Sequence, residues 1–134
     1  MFDTLDMGAS GLTAQRIRMD TIANNIANAR STRNAAGERE TYRRKFVVFA
    51  AGQPDDPSKP GVHVSQIAAD PSSLRAEYEP GNPDADKDGN VWYPNVDTAI
   101  ESVNMMEASR AYEANVTMMD VTKSMINASL RLIA

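Results

Sequence analysis

Residues 97–133 read DTAIESVNMMEASRAYEANVTMMDVTKSMINASLRLI, and within them the doublets Ala111-Tyr112, Met118-Met119, Met125-Ile126 and Leu132-Ile133 return every seven residues. No Pro or Gly interrupts the run, so the spacing predicts one long amphipathic helix with its apolar face on two adjacent heptad positions, Met105 lying on the same side. Asp97 is an N-cap type whose carboxylate can accept from the first free N–H groups, and Glu101 adds favourable charge to the first turn. At about 1.5 Å per residue the helix spans roughly 55 Å, more than a small core requires, which points to lengthwise packing. Ala108, Asn115, Thr122 and Ser129 occupy the position beside the doublets. Such small or polar residues let another backbone approach but do not seal a strong two-stranded coiled coil.

At the other end of the chain, Leu5, Leu12, Met19 and Ile26 fall seven apart, and Ala9, Ile22, Ala23 and Ala29 widen the same face. A second amphipathic helix follows. Gly8 and Gly11 each cost up to about 1 kcal/mol in a helix interior, so firm helix is expected only from near Gly11. The fold class expected is mainly α with a small β region: long N- and C-terminal helices packing as a coiled-coil-like pair, with short strands between. The expected organisation is an N-terminal helix in 1–33, an extended and short-stranded segment in 34–96, and the C-terminal helix in 97–134.

The middle segment contains three strand patterns: Phe46-Val47-Val48-Phe49, then Val62, Val64 and Ile67, then Leu74, Ala76 and Tyr78. Pro54, Pro57 and Pro60 lie between the first two, which therefore read as a hairpin with an exposed tip.

The 134 residues suit one domain, or a smaller middle domain between extended ends. Net charge is −4 but polarised: residues 1–53 hold eight Lys/Arg against five Asp/Glu, and residues 54–95 hold three against eight. Glu38 and Glu40 interrupt the basic run from Arg30 to Lys45, and only Tyr42 supplies an aromatic, so a solvated or inter-subunit charge face is favoured over nucleic acid. The absence of Cys removes disulfides, thiolate nucleophiles and Cys-based zinc sites. Neither a cleaved signal peptide nor a membrane-spanning stretch is expected.

Asp84, Asp86 and Asp88, followed by Gly89, begin as a calcium loop does, but position twelve is Asn95, not Glu, and Pro83 and Pro94 deny the loop flanking helices. An Asx-rich turn that needs no ion accounts for the same residues. His63, the sole histidine, lies between Val62 and Val64 in a strand pattern with no nucleophile partner. Trp92-Tyr93 is a candidate binding platform or, more commonly, an aromatic anchor for a small domain. No catalytic, cofactor or metal site is expected.

Beyond periodicity, the segment around Asn24-Asn25-Ile26-Ala27-Asn28 resembles the N-terminal signature of bacterial flagellar rod and hook proteins. Gly81 through Gly89, with Asp84 and Asp86, and then Val91-Trp92-Tyr93-Pro94-Asn95-Val96, resembles the turn of proximal rod proteins; Glu101 through Asn115 is similar to the family's C-terminal motif. Arg30 stands where the family often has Asn, and the Thr-x-Gly-Tyr of hook and distal rod proteins is absent.

The resemblance implies a non-enzymatic subunit of the basal-body rod that crosses the periplasm. It implies export by the flagellar type III apparatus and helical assembly with other copies and other rod proteins around a channel. The apolar positions Leu5, Leu12, Met19, Ile22, Ile26, Met105, Tyr112, Met118, Met119, Met125, Ile126, Leu132 and Ile133 are then the expected assembly surface. A soluble dimeric adaptor or secretion chaperone is the alternative that would use the same helices.

Overall fold

The computed structural model describes residues 2–134. Helix α1 runs Phe2–Ala27 and helix α2 runs Thr98–Ile133. Between them lie β1 (Lys45–Ala51), β2 (Val62–Ala69), β3 (Arg75–Tyr78) and β4 (Asn90–Tyr93). β1 pairs antiparallel with β2, and β3 with β4, as two separate two-stranded sheets. The three expected strands are present, and the first two form the expected hairpin. β4 was not expected: its four residues sit directly between Gly89 and Pro94, too short a run to show alternation.

The start of α2 follows from its cap. Asp97 is extended, with φ −100° and ψ 110°, and its carboxylate accepts from the N–H groups of Ala99 (2.9 Å) and Ile100 (3.3 Å). α1 ends without glycine. The Asn24 carbonyl accepts twice from Asn28, from its backbone N–H at 3.0 Å and from its side-chain amide at 2.8 Å, which fastens the last turn.

The helices run antiparallel. Gly8 lies against Met118 and Met119, Gly11 against Asn115, Arg18 against Glu107, Met19 against Ser109, and Asn25 against Glu101. The line of closest contact on α1 is Gly8, Gly11, Ala14, Thr21, Ile22 and Asn25; on α2 it is Glu101, Ala108 and Thr122, with Asn115 between them half-buried. The helices thus meet along their small and polar residues. The doublets flank the seam: Ala111, Tyr112, Met118, Met119 and Ile126 are half-buried, and Met125, Leu132 and Ile133 are exposed.

That geometry corrects the expectation that firm helix begins near Gly11: α1 is helical from Phe2. A Cβ on Gly8 would come within 2.6 Å of Met119 Cγ and 3.0 Å of Met118 Cε, and one on Gly11 within 2.9 Å of Asn115 Nδ2. The glycines lower intrinsic helix propensity, but they let α2 come close, and the packing gained along the seam outweighs a penalty of about 1 kcal/mol each.

Hairpin β1–β2 lies along α1, with its open end near Asn25 and its tip near Ser10, whose hydroxyl accepts from Val62 N–H at 3.2 Å. Ser65 is the extra residue of a bulge: Val48 pairs with Gln66 and Phe49 with Val64. The core is small and includes Ala14, Ile22, Val91, Tyr93, Val96 and Ala108. It sits mostly where the strands meet the start of α2.

Gly8→Val is expected to lower the thermal midpoint measured by far-UV dichroism, because the branched side chain must push Met119 aside. Gly81→Ala, where nothing lies within 4 Å of the added carbon, should leave it nearly unchanged.

Candidate assembly interface

At the junction of α1, β1 and α2, one amide uses its full hydrogen-bonding capacity. Asn25, 0% exposed, donates from Nδ2 to the Lys45 carbonyl (2.7 Å) and to Glu101 Oε2 (3.1 Å). Its Oδ1 accepts from Lys45 N–H and from the Tyr42 hydroxyl, both at 2.9 Å. Two donors and two acceptors are all engaged, and the pair of bonds to Lys45 imitates a strand neighbour at the start of β1.

Glu101 is also 0% exposed. Its charge is met by Arg44, whose Nε lies 2.5 Å from Oε1, while Arg44 Nη1 reaches Asp70 Oδ2 at 3.3 Å. Burial opposes the guanidinium charge, yet the hydrogen bond and the negative charge of Glu101 hold Arg44 above its ordinary pKa. Asn95 fixes the backbone here, accepting from Arg44 N–H at 2.8 Å and donating to the carbonyls of Asp70 and Ser72 at 3.2 Å each. Pro94, fully buried, and Tyr93 lead into this region; the Tyr93 hydroxyl donates to Glu79, and the Arg30 guanidinium stacks 4.6 Å over its ring.

In the acidic turn, Asp86 Oδ1 accepts from the N–H groups of Asp88 and Asn90, both 2.9 Å, and Oδ2 accepts from the Trp92 indole at 3.1 Å. Asp84 takes the Thr32 hydroxyl at 2.7 Å and pairs with Arg33 at 2.5 Å. Gly89 has φ +79°, the left-handed region, and packs under Tyr78. These carboxylates satisfy donors of the chain itself. The hydrogen bond from Asn90 N–H is the leading cause holding Asp86 below the usual carboxylate range, and the Thr32 hydroxyl is the leading cause for Asp84.

The other expected surface positions divide by exposure. Ile22, at 5%, belongs to the chain's own core. Leu5, Leu12, Met19, Ile26, Met105, Tyr112, Met118, Met119 and Ile126 are half-buried, whereas Met125, Leu132 and Ile133 are exposed. Met118, Val121, Met125, Ala128 and Leu132 fall at alternating spacings of three and four, and so form a stripe along the distal half of α2; Val121, Met125 and Leu132 on it are 54%, 62% and 89% exposed. By the pairing of Gly8 with Met119, residues past about 124 extend beyond the level of Phe2. Asn24 and Ala27 are exposed and Asn28 is half-buried.

The sequence reading missed Arg44, Asp70 and Tyr42 as members of this network, and it gave Glu101 only a favourable charge in the first turn of α2. A signal was present: Glu101 stands in phase with Ala108, Asn115 and Thr122, which puts it in the seam.

Comparison with known proteins accords with this architecture at both ends. Residues 5–35 match the family described as "Flagella basal body rod protein", and residues 87–132 match "Flagellar basal body rod FlgEFG protein C-terminal". The flagellar basal-body rod protein FlgC of Borreliella burgdorferi is 39% identical over 99% of this chain and 97% of its own length. FlgC of Bacillus subtilis is 39% identical over 98% and 97%, and FlgC of Yersinia enterocolitica 41% over the same shares. The chain belongs to the FlgC family of flagellar basal-body rod proteins. The FlgC assignment gives Asn25 a physical meaning within the matched N-terminal region: it clasps the hairpin to both helices.

Asn25→Asp should destabilise the fold by roughly 3 kcal/mol or more, since both donors become acceptors facing the Lys45 carbonyl and Glu101. Asn24→Asp, at an exposed position, should change stability little; chemical denaturation of the two variants checks the contrast.

Acid behaviour follows from the turn. A carboxyl group whose folded pKa is depressed contributes stability that is present above the unfolded value, near 4, and is lost as pH falls through the folded value. Asp86→Asn should therefore weaken the fold at neutral pH through loss of a Trp92 acceptor, and should flatten the decline in stability below pH 4, as measured by denaturation at stepped pH.

Proposed function

We propose that this chain is a structural subunit of the flagellar basal-body rod that polymerises helically, with α1 and α2 forming the axial core and residues 34–96 outside it. The observation that carries this reading is the similarity to FlgC proteins over nearly the whole chain, together with a helix whose apolar residues exceed what its own chain covers. In a helical assembly each subunit presents the same heterologous contact to the next, and a contact that does not close on itself continues. The exposed stripe of Val121, Met125 and Leu132 is suited to such a contact, made in a coiled-coil-like manner with neighbouring helices. Methionine adapts to dissimilar surfaces, which fits a position where other rod proteins are neighbours.

Among the described residues no helix is long and apolar enough to cross a membrane. Export through the flagellar type III apparatus and a place in the periplasmic section of the rod complete the proposal. The names of the relatives do not favour a soluble adaptor or chaperone, and all are rod proteins, not enzymes.

Met125→Asp and Leu132→Asp should abolish recovery of the chain in isolated basal bodies and abolish swimming, because a charge on the contact face must be desolvated without a partner. Both positions are exposed in the single chain, so its helical dichroism should be retained. Arg131→Ala, off the stripe, should assemble normally; equal assembly of all three variants would contradict the proposed face.

A further inference from the structure

Beside the open end of hairpin β1–β2 is a cleft of about 530 Å³ whose lining includes Arg33, Tyr42, Arg43 and Lys45. Glu40 is the one carboxylate in that lining, and it accepts from Asn34 at 3.0 Å. Arg33 is engaged by Asp84. Arg43 donates only to neutral acceptors, the carbonyls of Asp70 (3.2 Å) and Ser72 (2.9 Å), and the Lys45 ammonium sits 5.7 Å over the Tyr42 ring. Among the described residues neither Arg43 nor Lys45 forms an ion pair with a carboxylate, so the cleft presents net positive charge.

At the opposite end of the same hairpin the charge is negative and the backbone is held. The tip carries Asp55 and Asp56 against one cation, Lys59, among Pro54, Pro57 and Pro60, and so keeps a net negative charge. Gly52 N–H donates to the Gly61 carbonyl at 2.9 Å, Lys59 N–H to the Asp56 carbonyl at 3.1 Å, and the Gln53 amide to the Pro60 carbonyl at 3.3 Å. Asp56 accepts from both the N–H and the hydroxyl of Ser58. Asp55 is exposed and enters none of these bonds. A tip ordered in this way loses little conformational entropy on docking.

Cleft and tip cannot meet within one chain. Lys45 and Ala51, the two ends of seven-residue β1, lie about 20 Å apart along the strand at the usual rise. We infer that the basic cleft beside Tyr42, Arg43 and Lys45 receives the acidic, proline-bounded hairpin tip of a second copy of this chain, with Asp55 facing Lys45. The contact joins one end of a hairpin to the opposite end of its neighbour's, so it is heterologous and propagates, and its like-to-unlike charge arrangement disfavours other registers. This inference rests on the proposed role as a polymerising rod subunit and adds the contact outside the helices.

The test is zero-length carbodiimide cross-linking of isolated basal bodies containing the native chain, followed by peptide mass spectrometry. A link between Asp55 and Lys45 is expected, and their separation along the strand makes it intermolecular. Asp55→Lys and Lys45→Glu should each cut recovery of the chain in basal bodies several-fold, and the double variant should restore much of it; helical dichroism checks that each variant folds. Recovery of the native chain without this link, or a link from Asp55 to a different protein, would overturn the inference while leaving the rod-subunit reading intact. Absence of the native chain from basal bodies would sink both.

Discussion

Burying Glu101 between two helices is unfavourable unless its charge is met, and Arg44 must be brought to it from the start of the hairpin. That requirement ties together elements whose shared core is small. Asn25 of α1, Arg44 and Lys45 at the start of β1, and Glu101 of α2 form one connected set of hydrogen bonds. Asp70 and Asn95 link the end of β2 and the approach to α2 to the same set. A network of this kind specifies more than it stabilises: its geometry is met in one arrangement of the elements, and a slipped helix would leave a buried carboxylate facing nothing.

Away from the junction, the helices are held by proximity instead of bulk. Large side chains in the seam would keep the axes apart and exclude the Gly8 contact with Met119. Small ones draw the helices close and leave the larger apolar groups at the seam's edges, half available to others. The chain therefore covers only part of its apolar residues in its own folding and leaves the rest open. The modest size of the core and the exposure along distal α2 are two aspects of that division.

Periodicity revealed α2 and α1 readily, because a heptad recurrence sustained over several turns is a pattern that a helix face produces and a strand or loop does not. It was less informative about which line of a helix faces inward. The doublets drew attention as the most apolar positions, yet the seam runs beside them, since close approach depends on side-chain size as much as on hydrophobicity. Gly8 and Gly11 were misjudged for a related reason: propensity describes an isolated helix, whereas both residues serve the contact with α2. β4 was hidden because Asn90 to Tyr93 is short and its buried positions, Val91 and Tyr93, alternate only once. The ion pair of Arg44 and Glu101 joins residues far apart in the chain, and only the fold brings them together. The acidic turn was legible as an Asx turn, but the role of the Trp92 indole as an Asp86 donor depended on the strand that spacing had not disclosed.

The offset between the helices has a mechanical consequence. Because α2 continues past the level at which α1 begins, the two helices do not terminate in a common plane. Subunits stacked end over end would overlap as in a lap joint, each protruding helix bridging the seam between the bodies below and above it. A twisting load would then cross every joint partly through continuous, axially hydrogen-bonded helix and partly through the lateral grip on its flanks. Two flat end faces pressed together would have to resist the same load by friction between side chains alone.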